Sequence, residues 1–183
     1  MRLAGKVAFI SGGARGMGAT EAKLFANEGA AVAIGDVLEE AGKRTEAEIN
    51  QSGGQALFVS LDVTSEQSWL DAIGATVAKF GRLDILVNNA TCLHDDLVVP
   101  GPFWEKSLQL VDILNVGLRS SYVASYHAAK LMAAQKSGLI INTSSPGAAC
   151  YMHGPAYGAQ KAGSDKMIWD MAQDLKPFNI ACA

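Results

Sequence analysis

Tyr157 and Lys161 stand four residues apart in Tyr157-Gly-Ala-Gln-Lys161, and on a helix that interval stacks a phenol and an ammonium on one face. An ammonium beside a phenol favours the ionised phenol, so the pair has the makings of an acid–base catalyst. The same spacing also arises when a half-buried aromatic lies along a lysine stem. Other residues of the chain decide between the two.

Upstream, the apolar run Lys6-Val-Ala-Phe-Ile10 leads straight into Ser11-Gly12-Gly13-Ala14-Arg15-Gly16-Met17-Gly18, a pattern of strand, glycine turn and helix. Gly12 and Gly16 let the backbone turn tightly and come close to a pyrophosphate, and Gly18 allows close helix–strand packing. The free N–H groups of the new helix then face the phosphates. Ser11, Gly12, Arg15, Gly16, Met17 and Gly18 are therefore candidate cofactor-binding residues.

The elements that must hold these groups alternate along the chain. Strands are expected at Val7–Ser11, Ala31–Gly35, Ala56–Leu61 and Ile85–Asn88, with helices from Met17 to Glu28, Glu39 to Gln51 and Ser65 to Phe80. A long helix follows from about Gln109 to Lys136, then a strand at Leu139–Thr143 and a helix at Ala156–Leu175 carrying Tyr157 and Lys161. Such alternation gives an α/β fold, a Rossmann-like doubly wound parallel sheet covered on both faces. Gly29 and Gly81 stand where helices stop, and Thr64 and Ser65 where one starts. The irregular stretch Thr91–Pro102, with His94, Asp95 and Asp96, follows the fourth strand where such sheets place ligands; a solvated loop is the alternative.

At 183 residues and 49% hydrophobic content, the chain has material for one sizeable core and little for a second, so a single domain over residues 1–183 is expected. A formal net charge of −3 with interspersed signs offers no basic stripe for nucleic acid and no cationic face for a membrane. Cys92, Cys150 and Cys182 are widely separated and fit a role in core packing as reduced thiols in a cytoplasmic protein. His94, His127 and His153 show no ligand spacing, and no metal is expected.

Ser11-Gly-x-x-x-Gly-x-Gly, followed by Tyr157 and Lys161 in the same order and register, resembles the pattern of the short-chain dehydrogenase/reductase family from Leu3 to about Asn179. Asp62-Val63 resembles the family's adenine-contacting pair, a cap for the next helix being the alternative for Asp62, and Asn88-Asn89-Ala90 resembles its Asn-Asn-Ala-Gly motif, with Thr91 in place of the glycine; Asn89 and Ala90 join the cofactor-binding set. Of Ser144-Ser145, the resemblance implies that Ser145 polarises the substrate, with Ser144 in reserve because the interval to Tyr157 is one residue short. Asn115 matches the helix-bending asparagine whose carbonyl holds a water on the path to the lysine. Asn115-Val-Gly-Leu-Arg119, Ser144-Ser-Pro-Gly147 and Tyr151-Met152 look most like the dehydrogenase/reductase member 1 branch, and the first third like bacterial hydroxysteroid dehydrogenases.

The resemblance implies hydride transfer between a nicotinamide and a secondary alcohol or ketone. Tyr157 would act as general acid/base, Lys161 would lower its pKa and bond the nicotinamide ribose, and a homodimer or homotetramer would join through the two long helices. Asp36, at the end of the second strand, is placed to accept bonds from an adenosine ribose and to repel a 2′-phosphate, which favours NAD over NADP although Arg15 pulls the other way. After Lys176-Pro-Phe-Asn-Ile180 the family pattern runs on through a sixth strand, a substrate lobe and a seventh strand. These last strands and the lobe are expected to be missing from residues 1–183. Nucleotide binding without turnover and a noncatalytic interaction subunit are the alternatives to an active oxidoreductase.

Overall fold

A computed structural model describes residues 1–183. Six parallel strands, β1 (Val7–Ser11), β2 (Ala31–Asp36), β3 (Gln55–Ser60), β4 (Ile85–Asn88), β5 (Gly138–Asn142) and β6 (Ile180–Cys182), form one sheet in the order β3-β2-β1-β4-β5-β6. The connections are α1 (Gly16–Asn27), α2 (Glu39–Gln51), α3 (Glu66–Phe80), a long segmented helix between β4 and β5, and α6 (Pro155–Leu175) before β6. No helix is long and apolar enough to cross a membrane.

Successive side chains of a strand point to opposite faces, and the core divides accordingly. Ala8 and Ile10 of β1 join Ala22, Ala26, Val32, Ile34 and Ile49 under α1 and α2. Phe9 points the other way, into a cluster with Trp69, Leu86, Ala124, Met132 and Ile140 under α3 and the long helix. Trp69 is fully buried beside Phe9, and its indole N–H donates to the Val63 carbonyl at 3.1 Å. That bond satisfies the indole and fixes the chain where it leaves β3. Asp84 is 3% exposed and ties the lower ends of β1 and β4 together. Its carboxylate accepts from the Val7 N–H at 2.9 Å and from the Arg82 guanidinium at 2.8 and 2.6 Å.

The local stops and starts are those expected. Ser65 caps α3, its hydroxyl accepting from the Ser68 N–H, and Gly81 ends that helix in the left-handed region. The bounds of β1, α2 and β4 coincide with expectation, and β2, β3, β5, α1, α3 and α6 shift by a residue at one or both ends. Two expectations are corrected. The helix expected over Gln109–Lys136 is segmented: a 3-10 turn at Leu108–Val111, α4 (Asp112–Leu114), a π turn at Asn115–Arg119 and α5 (Ser120–Gln135). The Ser120 N–H reaches back five residues to the Asn115 carbonyl, which inserts the extra residue of a π turn. The sixth strand expected to be absent is present as β6, with Ile180, Ala181 and Cys182 in register with Gly138, Leu139 and Ile140 of β5.

Candidate active site

Chain direction across the sheet reverses between β1 and β4, and the crevice at their upper ends is where ligands settle in such folds. The two sides of the crevice are bonded to each other by Ser11. Its buried hydroxyl donates to the Val87 carbonyl at 3.3 Å and accepts from the Asn89 and Ala90 N–H groups at 3.1 and 3.2 Å. Ser11 therefore shapes the crevice through its hydroxyl. Asn89 does likewise, its amide donating to the Ser11 and Gly12 carbonyls at 3.0 and 3.2 Å. Thr91, in place of the pattern's glycine, has an ordinary negative φ and leaves these bonds in place.

The glycine turn is packed as its spacing requires. Gly12 has φ +67, and a Cβ there would stand 2.9 Å from Ala90 Cα; a Cβ on Gly18 would meet the Gly12 carbonyl oxygen at 2.3 Å. Helix α1 can approach β1 this closely only without those side chains. A Cβ on Gly16 would meet nothing within 4 Å, so the turn is tight beneath and open above, with Arg15 and Met17 exposed around the open side. That shape fits a dinucleotide's pyrophosphate. Asp36 closes the neighbouring corner: its carboxylate accepts from the Ala14 N–H and the Leu38 N–H, each at 3.0 Å. It thereby fixes the glycine turn. Asp62 is occupied locally, its carboxylate accepting from the Thr64 N–H and hydroxyl at 2.9 and 2.7 Å, and thus helps to start α3. Val63 is buried beside Trp69.

Tyr157, Lys161 and Ser145 come together above β5. The first turns of α6 bring Tyr157 over the short 3-10 turn Pro146–Ala148, where a Cβ on Gly147 would lie 2.7 Å from Tyr157 Cε1 and 3.1 Å from Ser145 Oγ. Phenol ring and serine hydroxyl thus flank the same glycine. Ser145 Oγ accepts from the Gly147 N–H at 2.9 Å, which leaves its proton free to be donated to a reacting oxygen. Ser144, just before the turn, is exposed. Lys161 is 6% exposed, its ammonium donating to the Thr143 carbonyl at 2.7 Å and standing 5.7 Å from the Tyr157 ring centroid. Burial pushes this lysine below its ordinary value of 10.5, and the Asp165 carboxylate opposes the shift.

Asn115 is positioned by its helix rather than by its side chain. The π turn lies against α6, where a Cβ on Gly117 would meet Gln160 at 2.7 Å and one on Gly163 would meet Leu118 at 2.9 Å. Asn115 also lines a cavity of about 510 Å³ with Thr64, Cys92, His94, Asp112 and Arg119. A second cavity, of about 450 Å³, lies at the opposite end of the strands beside Lys6, Gly29 and Arg82, away from Tyr157. No three His, Cys, Asp or Glu side chains are grouped to hold a metal ion. The core role expected for the cysteines fails for Cys150, which is exposed; Cys92 and Cys182 are partly buried. Two contributors escape sequence reasoning: the Thr143 carbonyl, which has no side-chain signal, and His153, whose spacing matches no motif.

The family described as short chain dehydrogenase matches residues 6–183. The chain belongs to this family. It is an oxidoreductase family, and relatives of this member include proteins named as dehydrogenases of secondary alcohols. Trans-4-hydroxycyclohexanecarboxylate dehydrogenase of Sinomonas cyclohexanicum is 40% identical over 192 residues, covering 98% of this chain and 70% of that one. Cyclopentanol dehydrogenase of Comamonas testosteroni is 37% identical, with 98% and 70% covered. The structure of 7α-hydroxysteroid dehydrogenase complexed with NADH and 7-oxo glycochenodeoxycholic acid superposes with a TM-score of 0.89 at 32% identity, over 98% of this chain and 69% of that one. The chain thus spans about 70% of the length of these relatives.

Proposed function

We propose that this short-chain dehydrogenase is an NAD-dependent oxidoreductase that interconverts a cyclic secondary alcohol and its ketone, with Tyr157 as general acid and base. The observation that carries the proposal is the convergence of Tyr157, Ser145 and Lys161 above β5, beside a crevice shaped for a dinucleotide. The cyclic alcohol is supported by the names of the two relatives, each a dehydrogenase of a hydroxylated ring. When bound, a nicotinamide cofactor supplies the acceptor or donor of hydride.

The chain's own residues handle the proton and the developing charge. In oxidation Tyr157 takes the hydroxyl proton as the carbinol carbon loses its hydride and the C=O bond forms; in reduction it returns that proton. Ser145 Oγ–H donates to the reacting oxygen. Lys161, held by the Thr143 carbonyl, places a positive charge beside the phenol and toward the nicotinamide ribose. Asn115 would act through its backbone carbonyl on a water leading to Lys161. The test is NAD-coupled oxidation of cyclopentanol, 4-hydroxycyclohexanecarboxylate and a hydroxysteroid by the purified chain. Tight NADH binding with no turnover of any of them would leave a nucleotide-binding protein and remove the catalytic part.

NAD over NADP rests on Asp36, whose carboxylate is fixed at the end of β2 by two backbone N–H groups. A 2′-phosphate there meets a like charge, so NADH should bind on the order of tenfold or more tighter than NADPH. Asp36→Ala should narrow that gap. Fluorescence titration with both nucleotides decides it, and equal affinities for the parent would refute the assignment.

Self-association is proposed through the same helices that carry the site. Tyr122 and Tyr126 on α5 and Trp169 on α6 are 56, 50 and 66% exposed, and large apolar side chains on adjacent helices commonly mark an interface. Sedimentation at micromolar concentration should give a dimer or tetramer; a folded monomer rules the interface out.

A further inference from the structure

His153 packs on Tyr157, and the proposed chemistry gives it no task. Its ring packs perpendicular to the phenol, with centroids 5.2 Å apart and planes at 89°. Edge-to-face contact of this kind is the favoured arrangement of two rings and sets their relative tilt. Tyr157 thereby has His153 against its ring, Gly147 directly beneath Cε1, and the Lys161 ammonium 5.7 Å from its centroid.

The backbone of His153 is unusual as well. Three non-glycine residues have positive φ: Lys136, His153 and Asn179. Lys136 and Asn179 close α5 and the 3-10 turn before β6, where left-handed residues are common. His153, at φ +58, ends no helix; it precedes Gly154, the N-cap of α6, which itself has φ +86. A strained conformation persists only where the surroundings determine it. Burial does not determine it here, because His153 is exposed, and its ring nitrogens bond no protein group. The side chain makes no hydrogen bond to the protein, and its ring packs on Tyr157.

We propose that His153 is a positioning residue for Tyr157: the left-handed turn swings the imidazole onto the phenol and holds the hydroxyl at the angle from which it shares the reacting oxygen with Ser145. This rests on Tyr157 being the general acid and base, as proposed above. His153 neither touches the substrate nor transfers a proton; its effect passes through the tilt of a neighbouring ring.

The test compares His153→Ala, His153→Phe and His153→Gly with the parent in two measurements. In NAD-coupled oxidation of cyclopentanol, His153→Ala should lower kcat on the order of tenfold through a misdirected phenol, leaving KM and NADH affinity within about twofold. His153→Phe, which keeps a flat ring on Tyr157, should recover most of kcat. His153→Gly, which relieves the backbone but lacks the ring, should match His153→Ala in kcat while melting at a higher temperature. The second measurement needs no turnover: in the NADH complex labelled with ¹³C-tyrosine, the Tyr157 signal, identified by its loss in Tyr157→Phe, should move in His153→Ala and return in His153→Phe. A Tyr157 signal unmoved by His153→Ala, or a His153→Phe no closer to the parent than His153→Ala, would overturn the proposal. Undiminished activity in Tyr157→Phe would instead remove the catalytic reading on which it rests, and the signal would still report whether the ring is held.

Discussion

Tyr157→Phe is expected to lower kcat for secondary-alcohol oxidation by about 10²–10⁴, the range supplied by a placed general acid or base. NADH affinity should stay within about twofold, because only an interaction of the reacting proton is removed. The phenylalanine ring still fits between Gly147 and His153, which contact the ring and not the hydroxyl. Stopped-flow or steady-state NADH production, with nucleotide fluorescence recorded on the same preparation, measures both. A variant as fast as the parent would show that the proton leaves by another group.

Lys161→Met is expected to act on function and stability in opposite directions. Removing the only ammonium placed beside the phenol should reduce kcat/KM by about 10²–10³, the scale of one lost electrostatic contact at a reacting centre, and NADH binding should weaken with it. The fold should hold. A buried ammonium satisfied by one carbonyl is costly, and an apolar side chain of similar length is commonly neutral or stabilising in its place. The pH dependence separates the two effects. Because burial lowers the Lys161 pKa, the unfolded chain binds more protons between that lowered value and 10.5, so the lysine's contribution to stability rises with pH across that window. The Tm of the parent should therefore climb relative to that of Lys161→Met as the pH is raised from neutral toward 10.5. A variant that melts well below the parent at neutral pH would assign Lys161 a structural role instead.

The sheet was legible because its signals are local. Apolar runs of four to six residues such as Ile85–Asn88 and Ala31–Asp36 are bounded by turn residues, and a capping serine and a closing glycine mark α3 without reference to any neighbour. The site residues were legible as types and spacings, so Tyr157, Lys161 and the glycine turn could be named before any fold was seen. What stayed hidden depends on contacts distant in sequence. The π turn at Asn115 lies where Gly117 and Gly163 let two helices meet, and no periodicity within Gln109–Lys136 announces that meeting. Asp36 looks like a ribose ligand in the sequence, yet it also holds the Ala14 N–H from 22 residues away. Strand β6 is only three residues long and follows a left-handed Asn179, so it has almost no pattern of its own. His153 has no motif at all, since its significance is a ring angle.

The hydroxyl of Ser11 bears on how a nucleotide would be received. By joining β1 to Asn89 and Ala90 it sets the width of the crevice in the folded chain. A ligand entering such a groove has little backbone left to order, so the entropy loss is taken at folding and not at binding. Nucleotide association should accordingly proceed in one kinetic phase, with hydrogen-exchange protection at Asn89 and Ala90 already high in the free protein. Ser11→Ala would leave those two N–H groups without their acceptor and shift part of that ordering into the binding step, slowing association more than dissociation.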